Sequence, residues 1–188
     1  MPEKQRLILL PGLLCDAALW APEAAALADI ATPAVADLTQ SDSIAGMAQA
    51  VLADAPPRFA LGGLSMGGYV AFEILRRAPE RITHLALLDT SARPDTAEQT
   101  HQRRTFIGMC ERGEFKGVTP KLLPRWIHRS RLDDEALTST VMEMAARVGR
   151  DAFIRQQTAI MNRPDSRPGL ARIACPTLVL CGREDQPT

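Results

Sequence analysis

Short apolar runs alternate with amphipathic stretches along the first half of the chain. The run Leu7–Leu10 is continuously apolar and stops at Pro11-Gly12, a pattern typical of a strand buried on both faces. Three more strands are predicted, around Ala34 to Asp37, at Phe59-Ala60-Leu61 and at Leu85 to Leu88. The stretches between them have helical spacing and a cap or proline at their ends: about Ala17 to Ala28 behind Asp16, Ser43 to Pro56, and Met66 to Ala78. This alternation predicts an α/β fold, with a mainly parallel sheet and helices on both faces.

The alternation stops after Ser91. From about Asp95 to Met161 the apolar spacing is helical, and strand-like runs are lacking until Pro176. We therefore predict that residues 1–91 form the first part of the core, that residues 92–168 form a helical cap inserted into it, and that residues 169–188 continue the core. A separate helical subdomain with no role at the functional site is the alternative.

Composition and charge restrict the classes of function. The chain has 188 residues, enough for one domain with an insertion, and 22 basic residues balance 22 acidic ones. This balance favours neither nucleic acid nor an anionic membrane as a partner. No apolar run is long enough to span a bilayer, and the N-terminal run lacks the length and cleavage site of a signal peptide. The four cysteines have no metal-binding or redox spacing, which indicates reduced thiols in a cytoplasmic protein.

The stretch Gly63-Leu64-Ser65-Met66-Gly67 joins a predicted strand to a predicted helix. A serine hydroxyl becomes an effective nucleophile when a base takes its proton and its oxygen stands clear of the backbone. A very tight strand-to-helix turn exposes the oxygen in this way, and glycines two residues before and two residues after it avoid side-chain collisions. Gly63 and Gly67 meet that requirement, so we predict that Ser65 is a catalytic nucleophile. A glycine-rich turn with an incidental serine is the alternative.

Two backbone N–H groups are predicted to stabilise a negative oxygen beside Ser65. The N–H of Met66 opens the helix after the turn and has no intrahelical acceptor. The loop after the first strand, Pro11 to Asp16, leaves the N–H of Leu13 or Leu14 available at the head of the next helix. We assign Leu13 and Met66 to an oxyanion hole, although the loop by itself also fits an ordinary strand-to-helix turn.

Together these segments resemble the α/β-hydrolase family, and the resemblance covers essentially the whole chain. It is carried by LILLPGLLCDAALW, LGGLSMGGYVAFEILRRAPERI, LALLDTSARPD and CPTLVLCGREDQPT. The chain is most similar to small serine carboxylesterases and to hydrolases of the pimeloyl-carrier-protein methyl esterase and enol-lactonase kind. In those a four-helix cap precedes the seventh strand, which corresponds here to the segment from Ser91 to Arg167. Pro11-Gly12 replaces the family's usual His-Gly, so the backbone donor is retained but a hydrogen bond behind it is lost.

The resemblance also implies a carboxylate that orients the catalytic base and stabilises its positive charge. In the family the acid follows the seventh strand in a Gly-x-x-Asp turn, which here is Gly182-Arg183-Glu184-Asp185, so Asp185 is the expected acid. Asp89 is a second candidate, because some relatives place the acid after the preceding strand. For Asp89, a carboxylate that caps the following turn is the alternative.

The base in the family is a histidine that follows one further strand. Of the three histidines, His84 precedes a predicted strand and should lie at the amino end of the sheet, while His101 and His128 fall in the predicted cap. One of these two cap histidines acting as the base is the alternative. We therefore expect a chain truncated at its C-terminus by about 50 residues, judged from ordinary strand and helix lengths. The last strand, the last helix and the catalytic histidine would be absent, and activity would be strongly impaired. The last strand present would be an exposed edge that invites pairing with a second chain.

The sequence thus predicts a serine hydrolase of carboxylic esters, lactones or thioesters, with an acyl-serine intermediate and no metal or organic cofactor. Its partner would be a small-molecule acyl substrate. A cofactor-free haloperoxidase or perhydrolase and a carbon–carbon bond hydrolase share the same turn and are alternatives. A non-catalytic protein that binds a small apolar ligand is an alternative of another class. Leu14, Trp126 and Phe153 are candidates for lining the pocket, with plain core packing as the other interpretation of the last two.

Overall fold

Residues 4–185 are described by the computed structural model. They contain five strands: β1 Gln5–Leu10, β2 Ala31–Val35, β3 Phe59–Leu64, β4 Ile82–Leu88 and β5 Thr177–Leu180. They also contain five α-helices: α1 Ala21–Ala26, α2 Ile44–Asp54, α3 Met66–Arg77, α4 Ala97–Glu111 and α5 Glu135–Met161. All strand pairs are parallel, and the order across the sheet is β2-β1-β3-β4-β5. The predicted α/β fold with a parallel sheet is confirmed.

The main core lies between one face of the sheet and the helices α2 and α3. Helix α2 begins after Ser43, whose hydroxyl accepts the Gly46 N–H at 3.1 Å, as the sequence predicts. Alternate residues of the central strands point toward these helices because side chains of a strand alternate between its two faces. The buried cluster includes Ile8, Leu10, Phe59, Leu61, Leu85 and Leu87 from the sheet and Ile44, Met47, Ala48, Val51, Val70 and Ile74 from the helices.

Two early elements differ from the prediction. The helix predicted for about Ala17 to Ala28 is divided into a 3-10 helix, Ala17–Trp20, and the short helix α1. Pro22 stands in the first turn of α1 and has no N–H to donate to the preceding turn, so one continuous helix is disfavoured. Strand β2 begins three residues before the predicted Ala34 and contains Pro33. It tolerates this proline because, among the described strands, it lies at an edge of the sheet.

The strands around the candidate nucleophile are longer than predicted. Strand β3 continues through Gly62 and Gly63 because it is paired on both sides, Gly62 lying opposite Leu9 of β1 and Ala86 of β4. Strand β4 begins at Ile82, so His84 lies within the strand rather than before it. The longer β3 carries the chain directly to Ser65 at the carboxyl end of the sheet.

Between β4 and β5 the described chain forms only helices and turns. Helices α4 and α5 are joined by two short 3-10 helices, Leu123–Arg125 and Arg129–Arg131. The long helix α5 is interrupted at Gly149, whose φ of 76° and ψ of 177° are not helical. None of the helices within residues 4–185 has the length and hydrophobicity needed to cross a bilayer.

Strand β5 is paired only with β4 among the described strands, and its apolar side chains are exposed. The exposed fractions are 57% for Leu178, 71% for Val179 and 54% for Leu180. Because an exposed edge offers unpaired N–H and C=O groups to another strand, we expect the chain to self-associate through β5. Light scattering after gel filtration should show a concentration-dependent dimer that the Val179→Lys variant loses.

The matched control for this prediction is Ile30→Lys. Ile30 is 69% exposed and lies next to β2, at the opposite edge of the described sheet. We expect Ile30→Lys to leave the dimer unchanged. A monomer at all concentrations, or an equal effect of both variants, would argue against pairing through β5.

Candidate active site

Ser65 joins β3 to α3 in a strained backbone conformation. Its φ of 52° and ψ of −113° lie outside the regions that L-residues ordinarily occupy. Its N–H donates to the Leu88 carbonyl at 3.0 Å, and its own carbonyl accepts the Gly68 N–H at 2.9 Å and the Thr90 hydroxyl at 2.8 Å. Such a conformation costs about 1–3 kcal/mol and persists only where the surrounding structure enforces it. The half-buried Ser65 is thus held in an enforced turn rather than in a relaxed loop.

The two glycines on either side of Ser65 are required by backbone atoms. A Cβ atom on Gly63 would lie 2.6 Å from the Gly67 carbonyl oxygen and 2.8 Å from the Gly68 nitrogen. A Cβ atom on Gly67 would overlap the carbonyl group of Leu10 in β1. The collision at Gly63 lies within the turn, as the sequence predicts. The collision at Gly67 is instead with the neighbouring strand β1. Any side chain at either position would therefore push the turn apart.

Thr90, just beyond β4, supports the same turn from the other side. Besides donating its hydroxyl to the Ser65 carbonyl, it fills the space in front of Gly68, where an added Cβ would lie 2.6 Å from the Thr90 Cβ. Thr90 therefore connects the end of β4 to the nucleophile turn.

The loop after β1 lies directly beside Ser65. A Cβ atom on Gly12 would be 3.6 Å from the Ser65 Cβ. Of the two candidate donors in this loop, the Leu14 N–H is engaged by the Gln156 Oε1 at 3.1 Å. Neither the Leu13 N–H nor the Met66 N–H donates to any acceptor within residues 4–185. The structure therefore narrows the candidates for an oxyanion hole to Leu13 and Met66.

Asp185 belongs to a tight turn that follows β5. Its N–H donates to the Gly182 carbonyl at 3.1 Å. Asp89, with a φ of 39°, accepts the Gly182 N–H on its Oδ1 at 2.7 Å, and its own N–H donates to the Leu180 carbonyl at 2.9 Å. The Asp89 carboxylate thus binds the turn that carries Asp185. This contact differs from the sequence-based alternative for Asp89, in which its carboxylate caps the turn that follows β4.

Three potential metal-ligating groups meet at this turn. Ligand atoms of Asp89, Cys181 and Asp185 all lie within 4.8 Å of one another. The Cys181 thiol points to the Gly182 carbonyl at 3.6 Å and to the Asp185 Oδ2 at 3.8 Å. Desolvation, followed by the hydrogen bond with Asp89, raises the pKa of Cys181, so this thiol stays protonated near neutral pH. The thiol therefore acts as a hydrogen-bond donor within this turn.

No histidine is hydrogen-bonded to Ser65, whose hydroxyl makes no hydrogen bond to any residue in the described part of the chain. His84 is exposed and lies opposite Ala60, five residues and about 16 Å of strand before Ser65. His101 is exposed on α4.

His128 lies closer to the turn that carries Asp185. Its Nε2 is 3.1 Å from Glu184 Oε2, and its Nδ1 accepts the Ser130 N–H at 3.3 Å. Its contact with the turn is therefore through Glu184, and both of its ring nitrogens are occupied.

The chain matches the family model described as the alpha/beta hydrolase family over residues 7–188. It belongs to the alpha/beta hydrolase family. No curated protein sequence matches the chain. Among solved structures, a thermophilic esterase from Thermogutta terrifontis is 26% identical with a TM-score of 0.83, and the match covers 95% of this chain and 71% of that one.

Two further structures share the fold of this alpha/beta hydrolase. The enol-lactonase from Burkholderia xenovorans is 23% identical with a TM-score of 0.78, covering 96% of this chain and 74% of that one. MenH from S. aureus is 18% identical with a TM-score of 0.75, covering 96% of this chain and 76% of that one. The predicted resemblance to this family is confirmed.

The three predicted pocket residues of the hydrolase do not lie together. Leu14 and Phe153 are buried in one apolar cluster, whereas Trp126 is 48% exposed and outside it. The Phe153 ring packs against the Phe115 ring at a centroid distance of 5.5 Å. The buried members of the cluster are Leu14, Cys110, Val118, Leu123, Ile127, Ala145 and Phe153.

A cavity of about 580 Å³ lies elsewhere in the hydrolase. Its lining includes Thr83 at the start of β4 and Pro176 just before β5, together with residues of α3. These strand positions are at the amino end of the parallel sheet, whereas Ser65 follows the carboxyl end of β3. The cavity is therefore not part of the candidate active site.

Cys15 is the thiol in the loop beside Ser65. Burial, and then the negative charge of Asp16, raise the pKa of Cys15 to about 11. Only a very small fraction is thiolate at neutral pH, and the thiolate is the reactive form. Cys15 is therefore a poor competitor for the role of nucleophile in this hydrolase.

Proposed function

We propose that this alpha/beta hydrolase is a serine hydrolase that attacks carboxylic esters, lactones or thioesters with Ser65. The observation that carries the proposal is the enforced conformation of Ser65, with a positive φ, between two glycines that admit no side chain. Local strain of this kind, maintained by three hydrogen bonds, concentrates at sites of chemistry. The esterase and the enol-lactonase with the same fold support a carbonyl substrate.

The proposed reaction begins when the Ser65 oxygen adds to the carbonyl carbon and its proton passes to a base. The carbonyl oxygen becomes negatively charged, and the N–H groups of Met66 and Leu13 are proposed to donate hydrogen bonds to it. Backbone donors prearranged for that oxygen contribute several orders of magnitude to the rates of acyl-transfer enzymes. The leaving group departs with a proton, and water then hydrolyses the acyl-serine ester and regenerates Ser65.

The Ser65 proton has to pass to a base as the serine oxygen attacks. Asp185 is proposed to orient a protonated base and to stabilise its positive charge, and Asp89 holds the turn of Asp185 through the Gly182 N–H. No histidine within residues 4–185 is hydrogen-bonded to Ser65. When one member of such a triad is lost, about 10³–10⁴-fold acceleration over water remains from binding and the oxyanion hole. Because no such histidine is hydrogen-bonded to Ser65 in the described part of the chain, we propose weak activity.

Added imidazole is expected to increase this activity. With p-nitrophenyl acetate as substrate, we expect a saturable imidazole-dependent rate of p-nitrophenol release, because imidazole can accept the Ser65 proton. The rate is measured above that of Ser65→Ala, which accounts for direct hydrolysis by imidazole. Asp185→Asn should reduce the imidazole-dependent rate by about tenfold, since the imidazolium ion loses its partner.

Glu184→Gln is the matched control for Asp185→Asn. It removes a carboxylate from the same turn, one residue earlier, and we expect it to retain the imidazole-dependent rate. If imidazole increases the rates of the unmodified protein and of Ser65→Ala equally, Ser65 is not the nucleophile. If Glu184→Gln and Asp185→Asn behave alike, the assignment of the acid to Asp185 is wrong.

A further inference from the structure

Gln156 is a completely buried polar residue in the second half of α5. Its Oε1 accepts the Leu14 N–H at 3.1 Å, and its Nε2 donates to the Leu38 carbonyl at 3.2 Å. Leu14 follows β1 and Leu38 follows β2, so one side chain from the helical segment connects two loops at the carboxyl end of the sheet. A buried amide with both ends bonded rigidifies the groups that it joins.

The loop held by Gln156 is the loop that carries Leu13. The Cys15 N–H donates to the Gly12 carbonyl at 3.2 Å, which closes a four-residue turn with Leu13 and Leu14 at its centre. Leu14 has a φ of 60°, a left-handed conformation that leucine rarely adopts. The conformation is maintained where the Leu14 N–H finds a buried acceptor and the Leu14 side chain packs in the apolar cluster.

The peptide between Leu13 and Leu14 is consequently fixed from the Leu14 side. Without an acceptor at Gln156, the buried Leu14 N–H would be unsatisfied. The backbone strain at Leu14 would then be relieved if its φ returned to a negative value. That change rotates the Leu13–Leu14 peptide, so the turn from Gly12 to Cys15 is no longer held in one conformation. The adjoining Gly12–Leu13 peptide, which carries the Leu13 N–H, would then lose its single orientation. Because a displacement of about 1 Å at a catalytic group can reduce a rate about 10²-fold, a loosened turn would weaken the oxyanion hole.

Other contacts hold the same helix against the same loops. The Arg147 guanidinium binds Asp16 at 2.7 and 3.2 Å, and this hydrogen bonding lowers the pKa of Asp16. The Arg155 Nε donates to the Thr39 carbonyl at 2.8 Å. Helix α5 is thus fastened at both loops, and Gln156 is held in a defined place relative to Leu14.

We infer that Gln156 is a positioning residue for the oxyanion donor Leu13, supplied by the helical segment to the loop after β1. The inference rests on the proposed function of Ser65. It gives the helical segment a role at the active site. It also supplies, from α5, a contact behind the oxyanion loop, where Pro11-Gly12 offers no side-chain donor.

The test is the rate at which a fluorophosphonate modifies Ser65 in the presence of imidazole. The phosphoryl oxygen of the adduct occupies the place of the oxyanion, so the inactivation rate constant depends on the N–H donors of the oxyanion hole. The constant KI, in contrast, measures reversible binding of the probe. For Gln156→Met we expect the inactivation rate constant to fall by about tenfold or more with KI little changed. Gln156→Glu at a pH of about 6, where burial keeps the new carboxyl group protonated, should retain most of the rate.

Gln157→Met is the matched control. Gln157 is the adjacent buried glutamine, and it bonds to Arg103 at 2.7 Å rather than to the oxyanion loop. We expect Gln157→Met to lower the free energy of unfolding by a similar amount and to leave the inactivation rate constant unchanged. In the phosphonylated protein, amide NMR should show downfield shifts for Leu13 and Met66, and in Gln156→Met the shift of Leu13 should be lost while that of Met66 persists.

The outcomes distinguish the proposed function of Ser65 from the positioning role of Gln156. If the unmodified protein is not labelled at Ser65, both the proposed function and the role of Gln156 are wrong. If it is labelled, and Gln156→Met is labelled at the same rate with an unchanged Leu13 shift, only the inference about Gln156 is overturned. If Gln156→Met does not fold, Gln156→Ala, whose side chain offers no acceptor to the Leu14 N–H, decides in the same way. A lower inactivation rate constant with an unchanged KI supports the inference, and an unchanged rate constant with an unchanged Leu13 shift overturns it.

Discussion

Replacing Ser65 with alanine is expected to abolish covalent modification by a fluorophosphonate completely. The probe's phosphorus is attacked by a serine oxygen that stands clear of the backbone, and Ser65 is held in that position by its enforced backbone conformation. Alanine keeps the Cβ atom and removes only the hydroxyl, so the turn should persist and the nucleophile should not. Intact mass and peptide mapping, with imidazole present, should show one phosphonyl group on Ser65 in the unmodified protein and none in Ser65→Ala.

The control for this experiment is Ser91→Ala. Ser91 is also half-buried, and it lies close in sequence to Thr90, which contacts the nucleophile turn. Ser91→Ala should be labelled as the unmodified protein is. If labelling persists in Ser65→Ala, Ser65 is not the nucleophile. Saturable binding of an apolar ligand without any labelling would favour the non-catalytic binding protein.

Replacing Gly67 with alanine is expected to cause the largest loss of stability. The added Cβ would overlap the Leu10 carbonyl, and Leu10 is fully buried in β1, opposite Gly63 of β3. Both sides of the contact are backbone, so a side-chain rearrangement cannot relieve it. We expect the free energy of unfolding to fall by about 3 kcal/mol or more, as for other severe overpacking in a core. Urea denaturation measures the loss.

Gly108→Ala is the matched control for Gly67→Ala. Gly108 lies inside α4, and the nearest atom to an added Cβ is the end of the Arg112 side chain at 3.5 Å. Because alanine is favoured over glycine within a helix by about 0.5–1 kcal/mol, this variant should be as stable as the unmodified protein or slightly more so. A stable Gly67→Ala protein that still reacts at Ser65 would show that the turn tolerates a side chain.

Much of the fold could be predicted from the sequence, because its signals are local. The apolar run Leu7–Leu10, the Ser43 cap and the need for glycine at Gly63 each act within a few residues of the chain, and each prediction agrees with the structure. The observed strand boundaries differ from the predicted ones where a neighbouring strand decides them. Strand β3 extends past Leu61 because both of its neighbours supply hydrogen-bonding partners, a condition that the run of residues does not show.

The supports of the candidate site could not be predicted in this way. Gln156 is separated from Leu14 by 142 positions, and Asp89 from Gly182 by 93. His128 carries no motif, yet it lies against Glu184 in the acid turn. In each case the residue type is common, and nothing in the adjacent sequence indicates which distant backbone group it will bond.

The sequence by itself determined the turn at Ser65, because the contact that requires glycine at Gly63 is made with Gly67, four positions later in the same turn. It also determined the parallel α/β arrangement, since strands that alternate with helices must cross over to pair. Only the tertiary structure decided which N–H groups remain available beside Ser65, since Leu14 and Leu13 are indistinguishable until Gln156 engages one of them. It also decided where the histidines lie relative to the nucleophile. These choices depend on contacts between distant segments, whose geometry exists only after the chain has folded.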